Sequence, residues 1–185
     1  MYFAALSEPG EQIRLVVLVI LAAIVGLYLV YLNRKKEPAD TLAPFAKLDE
    51  ARLNATPDGE LLSTVIANLL SKMDPKRPDP YVTIPPLGEA RCTVYCVWVY
   101  DRILQEDGVE ALKKGKEALL VDFALDGFKT IGATRCAEAV AALFSDGATP
   151  EDALAAYRNA AAEEKPLEAC VPYIRDNLPL FCDGE

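Results

Sequence analysis

Histidine is absent from the 185 residues. The usual general base and the commonest metal ligand are therefore missing, and a reactive hydroxyl or thiol would have to use a carboxylate as its base. No Gly-x-x-x-x-Gly-Lys-Ser/Thr loop and no dinucleotide fingerprint occurs, so the common phosphate cradles are missing too. Cations are scarce: 19 Lys and Arg face 28 Asp and Glu, a formal net charge of −9. Phosphate backbones are held by clustered cations, so direct nucleic-acid binding is not expected. These shortages lead us to expect a protein with no catalytic residues and no cofactor.

Five cysteines are present, Cys92, Cys96, Cys136, Cys170 and Cys182. An odd count suits free thiols better than a disulfide framework. Cys92 and Cys96 lie four apart and would share a helix face, a spacing that can chelate. A structural zinc site needs four ligands, and the other three cysteines show no paired spacing. Buried free cysteine is the expected role, with no metal.

Apolar residues make up 52% of the chain and are unevenly spread. Leu15 to Leu32 is an unbroken run without a charge. At about 1.5 Å per residue it would reach about 27 Å as a helix, close to the roughly 30 Å hydrocarbon thickness of a bilayer. Glu8 and Glu11 before the run, and Tyr28, Tyr31 and Asn33 at its end, do not suit a cleaved signal peptide. One retained transmembrane helix is expected. Arg34, Lys35 and Lys36 follow the run while Arg14 alone precedes it, which puts the N-terminus outside and the following domain in the cytoplasm, at the inner (plasma) membrane. Ala22, Ala23 and Gly26 form a small-residue patch where another membrane helix could approach closely.

Residues 37–185 carry 15 Lys and Arg against 26 Asp and Glu, a net charge of −11. We expect an all-α protein in which the single membrane helix precedes a compact soluble domain of about six or seven helices. Residues 1–36 hold the N-tail, span and basic collar, 37–87 a helical lead-in and proline-rich connector, and 88–185 the main acidic domain. Within the lead-in, Pro44 to Leu53 reads as a small helix. Thr56 then reads as an N-cap with Pro57 at the first helical position, before apolar residues from Leu61 to Met73 at three-and-four spacing. Five prolines between Asp74 and Leu87 predict an extended spacer. Glu89 to Gln105 predicts a helix in which Trp98 is core or an interface anchor, with core favoured. Glu117 to Lys129 and Ala133 to Phe144 predict helices burying Leu119, Phe123, Phe128 and Phe144. Thr149 and Pro150 open another, to about Ala162, and Leu167 to Leu178 a last one that Pro172 starts or kinks. Asp101, Glu106, Asp107 and Glu110 are assigned to solvent, and Lys113, Lys114 and Lys116 to a solvated loop.

Three stretches carry a family likeness. Glu106, Asp107, Gly108 and Val109 fall where the family has an Asn-Gly-Gly-Phe type of turn, here with one glycine. Phe128 to Ala133, followed by Cys136, Ala137 and Val140, looks like its Ile-Gly-Ala helix junction. Tyr173 to Asn177 and Phe181 are similar to its closing segment. On these residues, about 90–181 resembles the helical domain of the DNA-mimic protein family and its relatives. The resemblance implies an all-α fold in which acidic side chains present DNA-like charge to a basic partner. Glu106, Asp107, Gly108 and Trp98 are the partner-binding candidates. The leading expectation is a non-catalytic accessory subunit or adaptor of a larger membrane protein complex; the alternative is a membrane-tethered inhibitor that binds a basic protein surface.

Overall fold

The structure is a computed structural model that describes residues 42–145 and 149–184. The expected span and its flanks, Leu15 to Lys36, lie outside the described residues. Among the described residues no helix is long and apolar enough to cross a membrane. What is described is all-α: α1 Glu50–Ala55, α2 Asp58–Ser71, α3 Pro80–Thr83, α4 Glu89–Glu106, α5 Val109–Lys114, α6 Val121–Thr130, α7 Thr134–Leu143, α8 Pro150–Glu164, α9 Pro166–Asp176 and α10 Leu178–Phe181, with 3-10 turns at Ala43–Phe45, Pro85–Leu87 and Lys116–Leu120.

The hub is α4. Thirteen of its 18 residues are buried, because α2, α5, α6, α8, α9 and α10 all pack on it. A helix apolar around most of its circumference is stable only when surrounded, and this one is rich in Val, Tyr and Cys on every side but one. Its closest neighbour is α6. Gly127 makes that approach possible, since a Cβ there would stand 3.2 Å from the Thr93 carbonyl oxygen and 3.4 Å from a Val97 methyl. The hairpin of α7 and α8 then closes on α6 and α4, with Phe128 and Tyr157 meeting edge to face at a centroid separation of 6.0 Å. Leu61 and Leu69 from α2 join Phe128, Tyr157 and Phe181 in one core cluster.

Six helices of ten or more residues fall where apolar periodicity predicts them, and the remaining four are short. The short ones account for most differences from expectation. Pro44 to Leu53 is not one helix: a 3-10 turn ends at Phe45, and α1 starts only at Glu50, where the Asp49 carboxylate accepts from the Arg52 N–H at 2.7 Å. Thr56 is not the N-cap of α2, because its hydroxyl donates back to the Arg52 carbonyl at 2.8 Å and closes α1; Pro57 takes the cap position and Asp58 the first turn. The proline-rich segment is not simply extended. Pro80 and Pro85 each occupy a first helical position, where a missing N–H costs nothing, and Asp79 caps α3 through the Val82 N–H.

Lys113 and Lys114 are not in a loop: they form the last turn of α5, where positive charge meets the negative end of the helix dipole. The expected helix from Glu117 to Lys129 is a 3-10 turn followed by α6, and the change of period turns Leu119 and Phe123 outward, 62% and 41% exposed. Phe144, at the end of α7, is 39% exposed. Thr149 and Pro150 do open α8, with the Thr149 hydroxyl accepting from the Asp152 N–H. α9 starts at Pro166, carries Pro172 inside it, and stops at Asn177 before the single turn of α10.

Candidate functional site

The outward face of α4 carries Trp98, Arg102 and Glu106, spaced by four residues and so aligned along one stripe. Trp98 is half-buried. Its ring meets Tyr95 at 5.9 Å between centroids, and the Arg102 guanidinium lies 5.1 Å over its own centroid. Neither core nor fully exposed, Trp98 lines a groove of about 230 Å³ with Leu70, Met73, Pro78 and Pro80. Across the groove, Lys116 is held by the Asp79 carboxylate at 2.8 Å and the Pro78 carbonyl at 3.2 Å, which leaves Arg102 as the cation aimed along the stripe.

At the end of that stripe the chain turns sharply. Gly108 adopts φ +82°, a conformation L side chains rarely take, and its N–H donates to the Ile103 carbonyl at 2.7 Å beside the Asp107 N–H at 2.8 Å. This places Glu106 and Asp107 on an exposed corner with no cation in ion-pair distance among the described residues. The next acid, Glu110, is paired with Lys114 at 3.0 Å. Glu106, Asp107 and Gly108 therefore sit together, and Trp98 stands two turns back on the same helix.

Asp101, expected in solvent, is 8% exposed, because α8 covers the side of α4 that a two-sided helix would leave open. The Tyr157 hydroxyl donates to its Oδ1 at 2.8 Å. Burial pushes the Asp101 carboxyl above its ordinary range, against the opposing hydrogen bonds from Tyr157 and Gln105. Burial also pushes the Tyr157 hydroxyl up, with the Asp101 charge adding to the effect. A cleft of about 320 Å³ beside Asp101 is lined by Gln105, Arg158, Lys165 and Glu168 among others. Only the 56-residue separation hid the pair from sequence reasoning.

A second polar cluster ties the C-terminal end to the core. Asp183 accepts from the Leu48 N–H at 2.9 Å and from Asn68 Nδ2 at 2.8 Å, and forms ion pairs with Lys72 at 3.0 Å and Arg91 at 3.1 Å. Burial works to raise its pKa, yet these donors outweigh it and hold the carboxyl at about 2. Arg91, itself 6% exposed, also donates to the Leu180 carbonyl. Every buried side-chain nitrogen and oxygen among the described residues has a hydrogen-bond partner.

The cysteines are all free thiols, four buried and Cys182 half-buried. Cys92 and Cys96 do share a face of α4, with sulfurs 3.9 Å apart. Burial pushes the Cys170 thiol up to about 12. Among the described residues no three His, Cys, Asp or Glu side chains converge as metal ligands.

Comparison with known proteins returns no match. No family model fits the chain, and neither a curated protein nor a solved structure is similar to it. The site must therefore be judged on its own chemistry: an aromatic ring stacked with a guanidinium, beside an unpaired pair of carboxylates, on one ridge of an acidic domain. Such a ridge offers contact area and charge for recognition.

Proposed function

We propose that this chain is a non-catalytic interaction protein, an accessory subunit or adaptor of a larger membrane protein complex. Its apolar N-terminal run is the anchor and its acidic helical domain contacts a basic partner surface on the cytoplasmic side. The observation that carries this reading is the α4 ridge, where Trp98 and Arg102 lead to the unpaired Glu106 and Asp107. Aromatic and Arg side chains dominate the energetics of protein interfaces. Unpaired carboxylates on the rim steer a cationic partner and set the salt dependence.

The test is purification of the full chain in mild detergent, with mass spectrometry of what co-elutes. A defined partner is expected, bound less tightly with Trp98→Ala and when Glu106 and Asp107 are both changed to Lys. A chain that emerges alone and monodisperse overturns the proposal. The alternative, a tethered DNA mimic of the kind the sequence resembles, draws support from the same carboxylates. It predicts that duplex DNA displaces the partner and that binding collapses with rising salt, whereas a subunit held by a membrane-embedded helix contact survives both.

A further inference from the structure

Taking the interaction role of the α4 ridge as given, we propose that its partner is an amphipathic helix that presents an apolar side chain, an acid and a base at successive four-residue steps along one face. The apolar side chain fills the Trp98 groove, the acid meets Arg102, and the base meets Glu106 and Asp107. Each contact has its own opening. The groove of about 230 Å³ is lined by Leu70, Met73, Tyr95, Trp98 and Val99 among others, an apolar recess for a single large anchor. Arg102 and Glu106 are four apart, but with the acid toward the C-terminus, the weaker order for an ion pair. They do not pair: the guanidinium is drawn back over the Trp98 ring, 5.1 Å from its centroid, and neither Arg102, Glu106 nor Asp107 has an ion-pair partner among the described residues. All three are exposed.

From Trp98 to Asp107 the ridge therefore runs apolar, positive, negative, and the partner must carry the complementary order. A uniformly basic surface would set like charge against Arg102. The spacing selects a helix. Trp98 and Glu106 stand eight residues apart on an unbroken helix, about 12 Å along its axis, and a second helix lying within about 20° of α4 keeps its own four-residue steps in register over that length. An extended segment would gain no backbone hydrogen bonds here, because the ridge is the side of a helix whose N–H and C=O groups are paired internally and offers no sheet edge.

Trp98 is the single tryptophan of the chain, so its emission reports the groove directly. The full chain in mild detergent is panned against a displayed library of helical peptides of about 18 residues, long enough to be helical alone, randomised along one face with Trp and Tyr left out. Enriched sequences are expected to carry Leu, Ile, Phe or Met, then Asp or Glu, then Lys or Arg at four-residue steps, in either chain direction, and the synthetic peptide should shift Trp98 emission saturably. Arg102→Glu combined with Glu106→Lys and Asp107→Lys should invert the preference by about tenfold, toward the peptide with acid and base exchanged; Trp98 is retained, and its emission in the free variant checks the fold. No enrichment, enrichment without this order, binding that leaves Trp98 emission unmoved, or a charge-reversed chain that keeps the wild-type preference overturns the proposal. A partner that co-elutes with the full chain but is not displaced by the peptide overturns the helix assignment and leaves the adaptor reading standing, whereas peptide binding in this order by a chain that elutes alone supports the helix site and overturns the adaptor reading.

Discussion

Among the described residues, Asp101 is buried and Asp183 partly so, and the two carboxylates leave water on opposite terms. Asp183 enters a cluster with two cations and two neutral donors, and its pKa falls to about 2. Asp101 enters the core against a tyrosine hydroxyl, with no cation bonded to it, and its pKa rises. Burial is common to both, so burial alone does not fix the sign. What differs is whether a positive charge comes along to replace the lost water. The first cluster therefore stabilises through its charge, and the second only through its hydrogen bond.

Removing Asp183 should have the largest effect. Asp183→Ala leaves Arg91 buried with the Leu180 carbonyl as its remaining partner, and frees the C-terminal end from Leu48 and Asn68. Stranding a buried charge costs about 3 kcal/mol. Urea unfolding of the variant against the wild type measures it; a loss under about 1 kcal/mol would mean the cluster relaxes to solvent.

Acid tests the same cluster without a mutation. A carboxyl whose folded pKa is depressed contributes stability that is complete above its unfolded value, near 3.8, and is lost as pH falls through its folded value, about 2. The contribution is about 2 kcal/mol. Wild-type unfolding free energy should fall over that window, and the fall should be smaller in Asp183→Asn.

Asp101 gives the opposite sign and a smaller effect. Asp101→Ala strands the Tyr157 hydroxyl in the core and should cost about 1–2 kcal/mol. Asp101→Asn keeps an acceptor for that hydroxyl and removes the buried charge, so it should be neutral or stabilising at pH 7. Because the folded pKa is raised, the wild type loses stability as pH climbs from about 4 through that raised value, and the advantage of Asn should grow over the same range. Unfolding curves at pH 4 and 7 decide it; an Asn variant as unstable as the Ala variant at pH 7 would show that Asp101 is needed as a charge.

Neither carboxylate was legible in the sequence, and the reason is shared. Asp183 reaches residues 92 to 135 positions away and Asp101 reaches 56, distances at which local pattern carries nothing. What local pattern carries is the apolar stripe of a long helix, so α2, α4, α6, α7, α8 and α9 were expected. The short helices were missed or misplaced because single side chains start them: Asp49 for α1 and Asp79 for α3, with Gly108 making the turn into α5. Phe123 and Leu119 read as core because their spacing fits a helix, whereas the 3-10 turn before α6 rotates them outward. The Glu106–Gly108 turn is legible in the sequence, and the four-residue spacing of Trp98, Arg102 and Glu106 places Arg102 between that turn and Trp98.

Charge without burial should matter least. Glu110 and Lys114 form an ion pair at 3.0 Å one turn apart on α5, in the favourable order with the acid toward the N-terminus, yet both side chains are largely exposed. Water and salt screen such a pair, and holding two long side chains in place offsets much of the attraction. Lys114→Ala should therefore leave the urea midpoint unchanged within error at physiological salt, with a small shift emerging only at low ionic strength. A drop comparable to that of Asp183→Ala would mean that pairing itself, and not the exclusion of water around it, sets the worth of a charge in this fold.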